Sequence, residues 1–268
     1  MALLEVRDVV AGFGSSTVLH GVSFTVEAGE TAGIFGLNGA GKSVTMKTVA
    51  GVVAPWSGAV MFDGDDITRL TPEARVARGI ANVPQGRQVF SELTVEDNLR
   101  LGAYTLRRRD RARYRAVLDD IYSRFPVLAQ RRSQTAGTMS GGEQASLAVA
   151  RALMSEPKLL LIDEPSAGLA PLIVGQLYET LQKVRDTGMT MLLVEQNVTF
   201  GLQLARSARV MQRGRIVYEG DVETLDRKRM AELLGIGRLL GGHVPGTATV
   251  ATQARAKPAR ARRKPATA

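Results

Sequence analysis

The sequence predicts an α/β fold: a parallel-sheet core, an N-terminal antiparallel β part and a helical lobe inserted into the core. Three observations carry this. The apolar run Thr31–Phe35 leads directly into Gly36-Leu37-Asn38-Gly39-Ala40-Gly41-Lys42-Ser43, and Ser43–Val49 follows with helix-like spacing. A second apolar run, Leu159–Ile162, ends in Asp163 and Glu164 with the unbroken hydrophobicity of a parallel strand buried on both faces. Between Thr94 and Met154, apolar residues recur at helical spacing.

Composition narrows the class. A chain of 268 residues suits one large domain or a domain of two lobes. The absence of cysteine excludes disulfides and thiolate metal sites and suits a reducing cytoplasm. Met1–Asp8 lacks the apolar segment of a signal peptide, and no later stretch offers roughly 18 uncharged apolar residues for a membrane span. The expectation is a soluble protein whose membrane role comes through a partner. The formal net charge of +9 is concentrated late: Arg255, Lys257, Arg260, Arg262, Arg263 and Lys264 follow Glu232, the last acid. Residues 243–268 hold almost nothing large and apolar, so they are expected to form a disordered basic tail.

In chain order, Leu3–Val10 and Gly21–Val26 read as strands, the latter with Val22, Phe24 and Val26 on one face. Phe13 is placed in a glycine-flanked loop between them, where it either stacks on a nucleobase or packs locally. In the phosphate loop that follows Thr31–Phe35, glycines let backbone N–H groups turn inward around a phosphate, and the helix N-terminus adds positive potential. Lys42 is placed to reach the β- and γ-phosphates and the Ser43 hydroxyl to bind magnesium. Ala59–Phe62 is another strand. Thr71 caps a helix whose first residue is Pro72. Residues 79–83 form a strand ending at Pro84, so Gln85 stands at a strand end, where ligand-facing residues collect. It reads either as a polar loop residue or as an amide that senses the γ-phosphate and binds a magnesium-bound or attacking water.

Thr94 and Asp97 have helix-start spacing, Arg107–Arg115 is dense in arginine, and Val117, Ile121 and Phe125 share a helix face. The arginines form a solvated face or a docking surface for a membrane partner. Ser140-Gly141-Gly142-Glu143 has capping-box spacing, opening a helix with Leu147, Ala150 and Met154 on one side. Its glycines expose backbone N–H groups, so it is either an anion site or a plain cap. Asp163 at the tip of its strand is placed to hold magnesium opposite Ser43, and Glu164 to accept a proton from the water attacking the γ-phosphorus. Pro171–Arg185 and Val198–Ala205 read as helices, residues 209–220 as a hairpin turning at Gly214, and Leu225–Leu234 as a short helix.

This order of motifs resembles the ATP-binding-cassette (ABC) ATPases, P-loop NTPases with a RecA-like core. The likeness extends over nearly all of residues 1 to 240: the phosphate loop Gly36–Ser43, Gln85 as the Q-loop, Thr138-Met139-Ser140-Gly141-Gly142-Glu143-Gln144 as the signature, and Asp163 and Glu164 as Walker B and catalytic glutamate. It implies one ABC ATPase domain, 1–242, with a nucleotide-binding core (1–85 and 157–242) and a helical lobe (86–156). It also implies ATP and Mg2+ as ligands, with Gly36, Asn38, Gly39, Ala40, Gly41, Lys42, Ser43 and Val44 around the nucleotide and Phe13 stacked on adenine. Ser43, Gln85 and Asp163 would hold the metal. Two domains would pair head to tail, so that Ser140, Gly141, Gly142 and Glu143 of one close over the γ-phosphate held by Lys42 of the other. Ser166–Leu169 falls at the D-loop.

One departure narrows the resemblance. The family's switch histidine is expected after Met191–Val194, where this chain reads Glu195-Gln196-Asn197, and its only histidines are His20 and His243. Gln196 in the switch position would contact the γ-phosphate but carry no proton. Together with Glu164-Pro165-Ser166 and Gly168-Leu169-Ala170-Pro171, this is similar to the second ATPase of branched-chain amino acid importers, although members of that group often carry glutamate where Gln85 stands. That group implies a sister ATPase, two permease subunits and an extracytoplasmic binding protein, at the cytoplasmic face of the plasma membrane. An ATPase of a urea or amide importer, or of a lipid exporter, is the alternative. The interval from Ser43 to Ser140 is too short for the coiled-coil insertion of DNA-repair members, and the single cassette does not fit the translation factors.

Overall fold

In the computed structural model, residues 2–234 are described apart from 87, 105, 107–109 and 226. The expected tail, 243–268, and Arg107–Arg109 of the arginine run lie outside the described residues.

Strands β1 (Ala2–Phe13) and β2 (Ser16–Glu27) form a long antiparallel hairpin. They run further than the hydrophobic pattern alone suggests, and Phe13 is the last residue of β1 rather than part of a loop. Hairpin pairing with Ser16 extends the strand through Gly12 despite its low strand propensity. Next come β3 (Thr31–Phe35), helix α1 (Lys42–Val49), β4 (Ser57–Phe62) and β5 (Asp65–Asp66). Strands β4 and β5 complete a four-stranded sheet in the order β2-β1-β4-β5.

Helix α2 (Pro72–Ala77) starts as its cap predicts, with the Thr71 hydroxyl accepting from the Ala74 N–H. After β6 (Ile80–Val83) the chain is helical: α3 (Val95–Gly102), α4 (Arg111–Arg124), α5 (Pro126–Gln130) and α6 (Gly141–Leu153). Strand β7 (Leu159–Asp163), helix α7 (Pro171–Arg185), β8 (Thr190–Glu195), helix α8 (Val198–Leu204), the β9 (Ser207–Gln212) and β10 (Arg215–Asp221) hairpin, and helix α9 (Arg227–Leu233) follow. The second sheet has the order β10-β9-β3-β8-β7-β6, parallel except for β10.

Burial explains why β7 and β8 are continuous apolar runs. Leu159, Leu161, Leu192 and Val194 face the N-terminal sheet and α1, whereas Leu160, Ile162, Met191 and Leu193 face the helices. All eight are 0 % exposed. At about 2 kcal/mol for each fully buried large aliphatic side chain, these strands hold their C-terminal tips far more firmly than a surface loop is held. The tips carry Asp163, Glu164 and Glu195.

Arg75, which no local pattern singles out, is fully buried and clamps the end of α1. Its guanidinium donates to the carbonyls of Thr48 and Val49, each at 2.7 Å, and to that of Thr68 at 3.0 Å. Burial lowers its pKa to about 10, with Asp66 opposing, so it stays charged at neutral pH and complements the negative end of the helix.

Candidate functional site

Strand β3, buried along its whole length, delivers the chain into the phosphate loop. The N-cap of α1 is Gly41 at φ 107°, a conformation that a side chain would strain, and no side chain caps the helix. Its first-turn amides therefore keep their donors for an anion. The β9–β10 turn braces the loop from behind: the Gly214 N–H donates to the Ala40 carbonyl at 2.8 Å, and the Gly214 carbonyl accepts from His20. That hairpin had no chemistry legible in its sequence.

Lys42 is buried, and its ammonium donates to the loop carbonyls of Gly36 (3.0 Å) and Leu37 (3.3 Å). It also pairs with Glu164 Oε1 at 3.3 Å. The other Glu164 oxygen accepts from the Gln85 amide at 2.8 Å. Lys42, Glu164 and Gln85 thus form one chain of contacts across the ends of β3, β7 and β6. Ser43 Oγ donates to Asp163 Oδ1 at 3.4 Å, joining the first turn of α1 to the same strand end. Burial, and then the neighbouring Glu164 charge, raise the Asp163 pKa, while Ser43, Lys47 and Lys42 oppose the rise.

Glu164 adopts a left-handed backbone, φ 44°, and its N–H donates to the Val194 carbonyl at 2.9 Å. Such a conformation costs a non-glycine residue about 1–2 kcal/mol. Here it turns the carboxylate back toward the loop that carries Lys42.

The Ser140 constellation stands apart. It is a true capping box: Ser140 Oγ accepts from the Glu143 N–H, and Glu143 Oε2 accepts from the Ser140 N–H at 2.9 Å. Arg131 pairs with the other Glu143 oxygen at 2.9 Å. Gly142 is required by packing, because a Cβ there would lie 2.7 Å from Ile173 Cγ2 on α7. Among the described residues no hydrogen bond or ion pair joins Ser140–Glu143 to Gly36–Ser43.

The remaining candidates are placed as follows. Phe13 is 53 % exposed at the end of β1, its ring presented at the surface. Asn38 and Gly39 are exposed at the tip of the phosphate loop, Ala40 is buried beneath it, and Val44 is half-buried in the first turn of α1. Gln196 is exposed, and among the described residues its side chain makes no bond to Lys42, Glu164 or Gln85. Its neighbour Glu195, to which the sequence reading gives no role, is instead buried.

The donor set fits ATP with a hard cation. Uncapped amides and a buried ammonium suit the phosphates, and the oxygens of Ser43 and Asp163 suit magnesium. Among the described residues no group of three or more His, Cys, Asp or Glu stands together, so a cation at Ser43 and Asp163 would take its other oxygens from phosphate and water.

Comparison with known proteins agrees with this geometry. Residues 19–167 match the ABC transporter family. The chain is 45% identical over 215 residues to the high-affinity branched-chain amino acid transport ATP-binding protein BraG of Pseudomonas aeruginosa, across 80% of this chain and 91% of that protein. It is 36% identical over 236 residues to the probable branched-chain amino acid transport ATP-binding protein LivF of Archaeoglobus fulgidus, across 88% and 99% of the two chains. Among solved structures, a nucleotide-free ATP-binding cassette from an ABC transporter superposes with a TM-score of 0.76 at 27% identity, over 90% of this chain and 98% of that one.

Proposed function

The chain belongs to the ABC transporter family as an ATP-hydrolysing cassette, and from that premise we propose that it powers an importer of branched-chain amino acids. The observation that carries the catalytic half of this reading is the convergence of Lys42, Ser43, Asp163, Glu164 and Gln85 at the ends of three parallel strands. The similarity to BraG over most of both chains supports the substrate class.

The phosphates of ATP lie along the uncapped start of α1, with the amides from Gly39 to Val44 as donors and Lys42 on the β- and γ-phosphates. An incoming γ-phosphate competes with Glu164 for the Lys42 ammonium and so releases the carboxylate. Glu164 then takes the proton of the attacking water, and Gln85 orients that water and the carboxylate together. Ser43 and Asp163, with Gln85 nearby, would hold magnesium, which would supply positive charge to the phosphate oxygens. Phe13 stacks on adenine, using the exposed ring at the end of β1.

Ser140, Gly141 and Gly142 close the site of a second cassette, with Glu143 holding their turn in shape. Supporting this is the separation of the capping box from the phosphate loop of its own chain. The pairing is head to tail, with a sister ATPase, and the pair drives two permease subunits fed by an extracytoplasmic binding protein. Among the described residues no helix is long and apolar enough to cross a membrane; attachment to the permeases at the cytoplasmic face is part of this proposal. Gln196 serves as a switch residue that does not titrate.

Co-purifying the chain with its membrane partners and measuring ATP-dependent leucine uptake in vesicles tests this function. Uptake that is lost in Glu164→Gln supports it. Recovery of a ribosome or DNA in place of a permease contradicts it.

A further inference from the structure

Glu195 is 1 % exposed at the C-terminal tip of β8, and the ATPase chemistry above leaves it without a role. Its two carboxylate oxygens are divided between two loops. Oε1 accepts the backbone N–H of Ser166 at 3.1 Å, two residues beyond Glu164. Oε2 accepts the backbone N–H of Asn197 at 2.8 Å, one residue beyond Gln196. The two strand ends are already joined by the Glu164 N–H on the Val194 carbonyl at 2.9 Å. The helices that leave these loops are joined as well: Tyr178 of α7 stacks on Phe200 of α8, ring centroids 5.1 Å apart and planes at 29°. The Tyr178 hydroxyl is buried beside the same carboxylate; burial first, and then the Glu195 charge, push its pKa far above the ordinary tyrosine range.

We infer that Glu195 is a positioning residue, a buried two-sided acceptor that sets the loop carrying Glu164 and the loop carrying Gln196 in one fixed relation. Movement of one loop is passed to the other through this side chain in addition to the strand-end and ring contacts, so the response to γ-phosphate at Gln196 and the placement of Glu164 are coupled. The inference rests on the ATPase reading given above.

The carboxylate is needed because both partners are donors. A glutamine here presents one oxygen and one NH2 group, so in either orientation one backbone N–H faces another donor in a buried place. An aspartate is one methylene too short to span both loops.

The test measures kcat, KM for ATP and thermal midpoint of the full chain in its transporter complex, with equilibrium binding of a fluorescent ATP analogue. Glu195→Gln is expected to lower kcat about tenfold while KM and analogue binding stay within about twofold. Asn197→Pro, with Asn197→Ala as its control, removes the same bond from the other side: φ at Asn197 is −77°, within the range proline adopts. The N-cap bond that Asn197 Oδ1 accepts from the Phe200 N–H at 3.4 Å is lost in both, whereas the backbone N–H is lost only in the proline. Asn197→Pro is expected to reproduce the fall in kcat beyond any change in Asn197→Ala, and it keeps the inference testable if Glu195→Gln does not fold. Parent-like kcat in both Glu195→Gln and Asn197→Pro overturns the inference, as does a fall confined to Glu195→Gln. A parallel loss of analogue binding, kcat and thermal midpoint also overturns it, since that is the signature of a merely structural residue. Failure of the ATPase reading looks different, because the unaltered chain would then bind no ATP analogue.

Discussion

Two helices of this molecule begin at glycine-bearing turns, and they treat their first-turn amides in opposite ways. At Gly41 no side chain caps the helix, and the space ahead of it is framed by Lys42, Asp163, Glu164 and Gln85. At Ser140 the hydroxyl and the Glu143 carboxylate close a reciprocal cap, Arg131 neutralises that carboxylate, and the turn faces solvent. Glycine at a helix start is common to both, so glycine alone does not define a phosphate site. The difference lies in what the fold brings opposite. The first start has the acidic tip of β7, and the second has no hydrogen bond or ion pair to the phosphate loop or to that tip among the described residues. The proposed pairing would bring the two kinds of start together, one from each of two chains.

The largest effect expected is on the Gly41 side. Glu164→Gln should reduce turnover by at least about 100-fold while ATP still binds, because the phosphate loop is untouched and only the proton acceptor is lost. Steady-state hydrolysis and nucleotide binding, measured side by side, check this.

On the Ser140 side the first effect is on packing. Gly142→Ala places a Cβ 2.7 Å from Ile173 Cγ2 and should destabilise the chain by about 1–3 kcal/mol in urea unfolding. Adding Ile173→Ala should restore part of that stability. A Gly142→Ala chain as stable as its parent would break the claim that this glycine is there for the α6–α7 contact. Ser140→Ala should cost about 1 kcal/mol through loss of the cap. No residue of the Gly41 turn can show such an effect, since no side chain caps it.

The smallest effect runs in the opposite direction. Burial and the Glu164 charge raise the Asp163 pKa above its ordinary value, so the folded chain holds that proton more readily than the unfolded chain does. Stability associated with Asp163 is therefore fully present below the unfolded pKa and is lost as pH rises through the folded one. At neutral pH, Asp163→Asn removes this penalty and should raise the thermal midpoint by about 2 °C while abolishing magnesium-dependent turnover. A lower midpoint would show that the carboxylate stabilises the site without metal.

The same contrast explains what was legible beforehand. The phosphate loop, the caps at Thr71, Thr94 and Ser140, and the apolar runs of β3, β7 and β8 are local patterns, and each lies where its spacing predicts. Arg75, Glu195 and the Gly142–Ile173 approach are not local. Each joins elements distant in sequence, and a lone arginine or glutamate in such a stretch gives no periodic signal. Strand β1 reaches Phe13, beyond its hydrophobic pattern, because a hairpin partner rather than propensity extends it. At Gln196 the switch role remains a proposal from the sequence, and the side chain is exposed in the single chain.

Ser140→Arg addresses the division between the two helix starts most directly. Its ATP affinity, measured on the isolated chain, is set against its ATP turnover in the assembled transporter. Unchanged affinity with turnover reduced at least about 100-fold is the predicted result, since Ser140 would serve a neighbour's γ-phosphate and not its own. Loss of affinity in the isolated chain, or turnover equal to the parent's, would contradict a site completed by a second chain.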